Sequence, residues 1–291
     1  MPDKYKLEFY FFIILGKLLG VFGFKNAKHS AKFFAIIFFY LIPIRKQVVI
    51  KNLSIAFPHL SKNEIKKLAF KNYINVAQTF LEIFHLEKFG KNELLSLFTE
   101  ENLNDLKKIT ENKQGIIFLT GHVGNWELGA LVGGLILESK VNVLIKNQKN
   151  PYVRDWMKSI REKFGNKQIT LGTNVREIYS AIKKGEIVGI VGDQRGPRDA
   201  MKVNFFGRKT SVFSGTATIA VKTNCPVIFV FIVRKQNGQF DLILTEFKMD
   251  ESLKTKEEKI FYFNQYFMEQ LEEIIRKYPD QWLWMHNIWK Y

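Results

Sequence analysis

The stretch Ile116-Ile117-Phe118-Leu119-Thr120-Gly121-His122-Val123-Gly124-Asn125-Trp126-Glu127 decides how this chain is read. Residues 116–120 form a short apolar run closed by glycine, the pattern of a strand buried in a sheet. Gly121 and Gly124 supply a turn, and Asn125 is a plausible N-cap for a helix that follows. His122 and Glu127 lie in this turn. On one continuous helix, residues five apart face about 140° away from each other. Both serve one site only if His122 precedes the helix and Glu127 sits in its first turns. An imidazole titrates nearest neutrality. A neighbouring carboxylate fixes its tautomer and stabilises the imidazolium. The helix dipole would favour neutral His122, and N–H groups there suit an oxyanion. His29, His59, His85 and His286 lack this setting.

The same texture continues outward. Segments 141–145, 187–191, 227–233 and 240–245 read as further strands, and 151–164, 174–184, 212–223 and 256–277 as helices. Upstream, Ser61-Lys62-Asn63-Glu64 is a capping box opening a long helix, and a second helix is expected over 93–109. Strand–helix alternation predicts an α/β fold with a central, mostly parallel or mixed sheet flanked by helices. In such sheets ligands bind at the carboxyl ends of the strands. His122 follows the first strand and Asp193 the third.

The 291 residues carry 44 basic against 28 acidic side chains, a formal charge of +16. That excess implies an anionic partner: lipid headgroups, nucleic acid or an acidic carrier protein. With 27 Phe the chain can bury a large core, which argues against disorder. The single cysteine, Cys225, reads as a buried thiol and excludes a disulfide framework or a thiolate metal cage. Two apolar runs, 7–24 and 31–44, fall short of about 20 uninterrupted residues, the length of a membrane span. Lysines at 4, 6, 17, 25, 28 and 32 flank or interrupt them, and Arg45 and Lys46 follow. This predicts an N-terminal apolar helical membrane anchor over 1–45, lying in or partly crossing the bilayer, with the body, 46–291, on the cytoplasmic side. The competing reading is a pair of core helices.

Residues 121–127 resemble the histidine-and-acid motif of the glycerolipid acyltransferase superfamily, and Asn125-Trp126-Glu127 resembles its bacterial late lipid A acyltransferase branch. Asn150-Pro151 with Trp156 and Arg161 resembles a second block of that family. Lys183-Lys184-Gly185-Glu186 leading to Gly192-Asp193-Gln194-Arg195-Gly196 resembles a third, and Val203-Asn204-Phe205-Phe206-Gly207 another. Pro279-Asp280-Gln281-Trp282-Leu283-Trp284-Met285-His286 resembles the closing block. The blocks follow in the family's order. The resemblance implies His122 as general base with Glu127 as its partner. It implies an acyl thioester donor on acyl carrier protein or coenzyme A, and a glycolipid hydroxyl as acceptor. No metal, other cofactor or covalent intermediate is needed, and no nucleic acid is involved.

Candidate substrate contacts are Asn125, Lys146, Arg161, Asp193 and Arg195. Arg161 suits acceptor phosphate, or is an ordinary helix-surface charge. Asp193 bonds the acceptor, holds Arg195 or serves a turn. Phe205 and Phe206 shape an apolar pocket or pack the core, and Trp282, Trp284 and Trp289 are core or membrane-interface aromatics. Lys146 stands where the family commonly has Arg, Arg195 where it often has an acid or Tyr, and Asn287-Ile288 where it usually has Arg-Arg. These departures bear on the acceptor more than on the reaction. Other membrane glycolipids or lysophospholipids remain possible acceptors. A basic nucleic-acid-binding protein and a membrane-bound interaction protein without chemistry are the readings from other classes. Nucleophile-elbow, phosphate-loop, dinucleotide and His-Glu-x-x-His zinc motifs are all absent from the sequence.

Overall fold

A computed structural model describes residues 3–19, 23–24, 27–172 and 175–291. Lys25, part of the 7–24 run and the expected helix start at Asn174 lie outside the described residues. In chain order the elements are α1 (Lys4–Leu19), α2 (Ala27–Ile36), a π-helical turn (Ile37–Leu41), α3 (Lys46–Ala56), α4 (Lys62–Leu86), α5 (Lys91–Leu95) and α6 (Glu100–Thr110). Then follow β1 (Ile117–Thr120), α7 (Glu127–Ile136), β2 (Val141–Ile145), α8 (Pro151–Arg161), β3 (Lys167–Thr170), α9 (Val175–Lys183) and β4 (Ile187–Val191). The chain closes with β5 (Lys202–Phe205), β6 (Arg208–Ser211), α10 (Gly215–Thr223), β7 (Val227–Arg234), β8 (Phe240–Glu246) and α11 (Lys256–Lys277).

The main sheet has six strands in the order β3-β2-β4-β1-β7-β8. All neighbours are parallel except β7 and β8. The expected mostly parallel sheet is therefore present, with one antiparallel edge strand. Side chains of β1 alternate between two cores. Ile117 and Leu119 join Ala217 of α10 and Phe267 and Leu271 of α11. Phe118, with Ile116, joins Leu128 and Leu131 of α7. Helices leaving neighbouring strands β1 and β4 thus run over opposite faces. In open α/β sheets that arrangement marks the carboxyl ends of the strands as the place where ligands bind, and there residues 121 and 192 begin their loops.

Local chemistry explains most boundaries. Ser61 and Glu64 form the expected capping box on α4, and Thr255 and Glu258 form another on α11. Asn150 caps α8 by accepting from the Tyr152 and Val153 amides, with Pro151 in the first turn where its missing N–H costs nothing. One expectation is corrected and two elements were not foreseen. The helix over 93–109 is two helices, because Thr99 caps a new start by accepting from the Asn102 amide. Strand β3 was not anticipated, since its lone buried apolar residue, Ile169, gives no alternation to read. The hairpin β5–β6 was also missed; Phe206 and Gly207, both at positive φ, form its tight turn.

The N-terminal segment departs from a free-standing anchor. Among the described residues no single helix is long and apolar enough to cross a membrane; the helices 27–41 and 46–56 pass such a test only together, bent by 98°. Ala27 and Ala31 of α2 pack on Leu81 of α4, and Phe39 is fully buried against the main core. Helix α1 lies on α4 and α8: Phe12 meets the rings of Phe84 and Trp156 at 4.9 and 5.5 Å. Gly16 permits this approach, as a Cβ there would fall 2.3 Å from Phe84. The outward side chains are nonetheless apolar, with Phe11, Leu41 and Ile42 exposed by 70, 72 and 62%.

Candidate active site

His122 stands in the turn after β1, and Asp193 in the loop after β4. The parallel register sets Thr120 beside Val191, so the two loops emerge together. The His122 ring Nδ1 lies 2.6 Å from Asp193 Oδ1, and the His122 backbone N–H donates to Asp193 Oδ2 at 2.7 Å. The Trp282 indole N–H donates to the same Oδ2 at 2.8 Å. Asp193 is 3% exposed and the His122 side chain 17%. Burial opposes charge on the imidazole, but the Asp193 carboxylate, by attraction and hydrogen bond, and the Glu127 charge outweigh it. His122 therefore titrates above its ordinary range. Burial likewise pushes Asp193 up, and His122 and the Trp282 donor more than reverse this, holding the carboxyl below its usual range. With Asp193 ionised, Nδ1 carries the ring proton and Nε2 keeps its lone pair.

Several assigned positions change. Glu127 opens α7 as expected, but its carboxylate does not hold His122. Arg161 of α8 donates to it twice, at 2.8 and 2.7 Å. Burial disfavours the guanidinium charge, yet Glu127 outweighs this and raises Arg161 above its usual range. The carboxylate that orients His122 is Asp193, contributed from another strand and not from the adjacent helix. The expected helix-dipole bias toward a neutral His122 is overridden by that carboxylate. Asn125 does not cap α7; the helix has no side-chain cap, and the Asn125 amide is fully buried and donates to Glu82 at 2.9 Å. Asp193 does not hold Arg195. The Arg195 amide donates to His286 Nε2 at 3.0 Å, and its guanidinium to the Asn287 carbonyl. His286, lowered mainly by burial, accepts that bond as a neutral ring. Lys146 is exposed just past β2, at the same end of the sheet. Trp282, Trp284 and Trp289 are core residues, as are Phe205 and Phe206.

The closing segment is part of the site. The Gly124 N–H donates to Gln281 O at 2.9 Å and the Leu283 N–H to His122 O at 3.0 Å. Asn72 of α4 donates to the carbonyls of Asp280 and Trp282, and Asn52 of α3 to those of Trp284 and His286. Gly124 is at φ 55°, and a Cβ there would lie 2.0 Å from Ile232 O, so only glycine fits this close approach. Behind the turn, Glu82 and Arg234 form a buried ion pair. Sequence reading passed over both. The signal was present on α4: Asn72, Asn75, Thr79 and Glu82 recur at helical spacing as buried polar residues. Two clefts, of about 470 Å³ beside α11 and about 270 Å³ beside Cys225, are not lined by His122.

Fold and site together define an α/β protein with a largely buried histidine–aspartate pair at the carboxyl end of its sheet. The profile of the family described as bacterial lipid A biosynthesis acyltransferase matches residues 3–291. A lipid A biosynthesis lauroyltransferase of Escherichia coli (strain K12) is 26% identical over 250 residues, covering 84% of this chain and 79% of that protein. A palmitoleoyltransferase of the same pathway and strain is 24% identical over 249 residues, with equal coverage. Lipid A biosynthesis acyltransferase 2 of Shigella flexneri is 20% identical over 240 residues, covering 82% of this chain and 76% of that protein. The chain belongs to the bacterial lipid A biosynthesis acyltransferase family, and it is an acyltransferase.

Proposed function

We propose that this enzyme moves a fatty acyl chain from an acyl thioester, on acyl carrier protein or coenzyme A, to a hydroxyl of a lipid A precursor. The observation that carries the reading is the 2.6 Å contact between His122 Nδ1 and Asp193. It leaves Nε2 as the basic nitrogen and stabilises the imidazolium formed when that nitrogen takes a proton. The acceptor oxygen attacks the thioester carbonyl as His122 removes its proton. A tetrahedral oxyanion forms, the carbon–sulfur bond breaks, and the thiolate leaves and recovers the proton from His122. N–H groups at the start of α7 suit the oxyanion. Arg161, fixed by Glu127, suits an acceptor phosphate. The family's transferase reaction supports acyl transfer over the nucleic-acid reading that the +16 charge motivated. Mass spectrometry of glycolipids from cells with and without the gene is the direct test. Loss of one acyl chain from a lipid A species is expected; an unchanged lipid A with a change in another lipid would move the acceptor elsewhere.

The exposed apolar side chains of α1 and of 36–44, beside the +16 charge, support a protein lying on an anionic bilayer. Binding to vesicles is expected to need anionic lipid and to weaken in high salt. Equal binding to neutral vesicles at both salt levels would show that apolar insertion alone holds the enzyme.

A further inference from the structure

The pair Glu82–Arg234 is buried beneath the His122 turn, at 1 and 7% side-chain exposure. Glu82 Oε1 accepts from Arg234 Nε and Gln78 Nε2, both at 2.9 Å; Oε2 accepts from Arg234 Nη2 at 2.6 Å and from Asn125 Nδ2 at 2.9 Å. Arg234 also donates to Asn75 Oδ1 at 2.6 Å and to Thr79 Oγ1 at 3.1 Å. Such a pair is a poor way to stabilise a fold, since apolar residues of similar volume often serve as well or better.

Its connections explain its presence. The Thr79 hydroxyl, which accepts from Arg234, donates to Gly124 O at 2.7 Å. The Arg234 backbone exchanges two bonds with the Gln281 side chain, at 2.7 and 2.8 Å. Gln281 O in turn accepts from the Gly124 amide at 2.9 Å. The Gly124 carbonyl, through Thr79, and the Asn125 side chain are therefore tied to the ion pair, and the Gly124 N–H, through Gln281, to the backbone of Arg234, two and three residues past His122.

We propose that Glu82 and Arg234 are positioning residues for acyl transfer: their ion pair holds the 121–127 turn so that the His122 ring stays seated on Asp193. The inference rests on His122 as the base. A turn released from this clamp lets the ring drift from the carboxylate, and the imidazole loses both its orientation and the charge that raises its basicity. Displacements of about 1 Å in a reacting group can cost roughly a hundredfold in rate.

The test compares the full-length enzyme with Glu82→Gln and Thr79→Val. Proton NMR reads the hydrogen-bonded His122 Nδ1–H and the ring titration; kinetics read kcat, KM and the acidic limb of the kcat–pH profile. Glu82→Gln is expected to lower kcat by about tenfold to a hundredfold with KM little changed. The Nδ1–H signal should weaken, and both the ring titration and the acidic limb should move to lower pH. A pair that only stabilises the fold would lower the melting temperature and leave those signatures unmoved in the molecules that remain folded. If Glu82→Gln does not fold, Thr79→Val carries the test, because it cuts one tie to the turn and keeps the ion pair. Parental Nδ1–H signal, titration and kcat in the folded variants would overturn the proposal. A shifted ring with undiminished turnover would instead support the clamp and refute His122 as the base.

Discussion

Replacing His122 by alanine is expected to lower kcat by about 10²- to 10⁴-fold, the range supplied by a positioned general base. KM should change little, because the lost interaction belongs to proton transfer and not to ground-state binding. The fold should survive. Asp193 keeps the backbone N–H of residue 122 and the Trp282 indole as donors, so its buried carboxylate is not orphaned. The backbone bond from the Leu283 amide to the carbonyl of residue 122 needs no side chain. Loss of the remaining partner should reduce unfolding free energy by about 1–3 kcal/mol. The measurement is initial acyl-transfer rate per folded molecule, with the folded fraction read by circular dichroism. A folded His122→Ala protein turning over at the parental rate would remove His122 from the chemistry.

What could be read from sequence, and what could not, follows the range of the interactions. Residues 116–120 announced a buried strand, and the two glycines around His122 announced a turn; both signals are local and both held. Helix α11 occupies the span expected of it, 256–277, and the structure adds the Thr255–Glu258 capping box at its start. The partner of His122 was not legible. Glu127 was nearest in sequence, but the side chain that reaches the ring comes from 71 residues away. That pairing depends on β1 lying beside β4, an adjacency that neither strand's composition encodes. Arg161 and Glu127 were both singled out, yet their mutual bond was not, for the same reason. Glu82 was legible only as part of the polar stripe Asn72, Asn75, Thr79 and Glu82 on α4, and its partner Arg234 ends a strand 152 residues away.

Asp193→Asn should be nearly as damaging as the loss of His122, by a mechanism the donor geometry dictates. Oδ2 of Asp193 receives two fixed N–H groups, from the His122 backbone and the Trp282 indole, whereas Oδ1 receives only the His122 ring. An asparagine places its single oxygen toward the two fixed donors and its NH₂ toward the ring. Nδ1 must then accept, the ring proton moves to Nε2, and the nitrogen that should take the acceptor's proton is already occupied. A fall in kcat of about 10²- to 10⁴-fold is expected. The pH dependence supplies a second signature. In the parent, His122 is raised and Asp193 lowered. The stability supplied by raised His122 is complete below its unfolded pKa, about 6.5, and is lost as pH rises through the folded value. That supplied by lowered Asp193 is present above its unfolded pKa, about 3.9, and is lost as pH falls through the folded value. The pair therefore contributes most between about pH 4 and 6.5, whereas transfer requires a neutral ring and rises only above that window. In Asp193→Asn the ring loses its main source of raised basicity, so the acidic limb of the kcat–pH profile should move down while the plateau collapses. Stability should also lose its decline above neutral pH. A plateau that falls with an unmoved acidic limb would mean that Asp193 supports the fold of the two loops and leaves the titration of the base to Glu127.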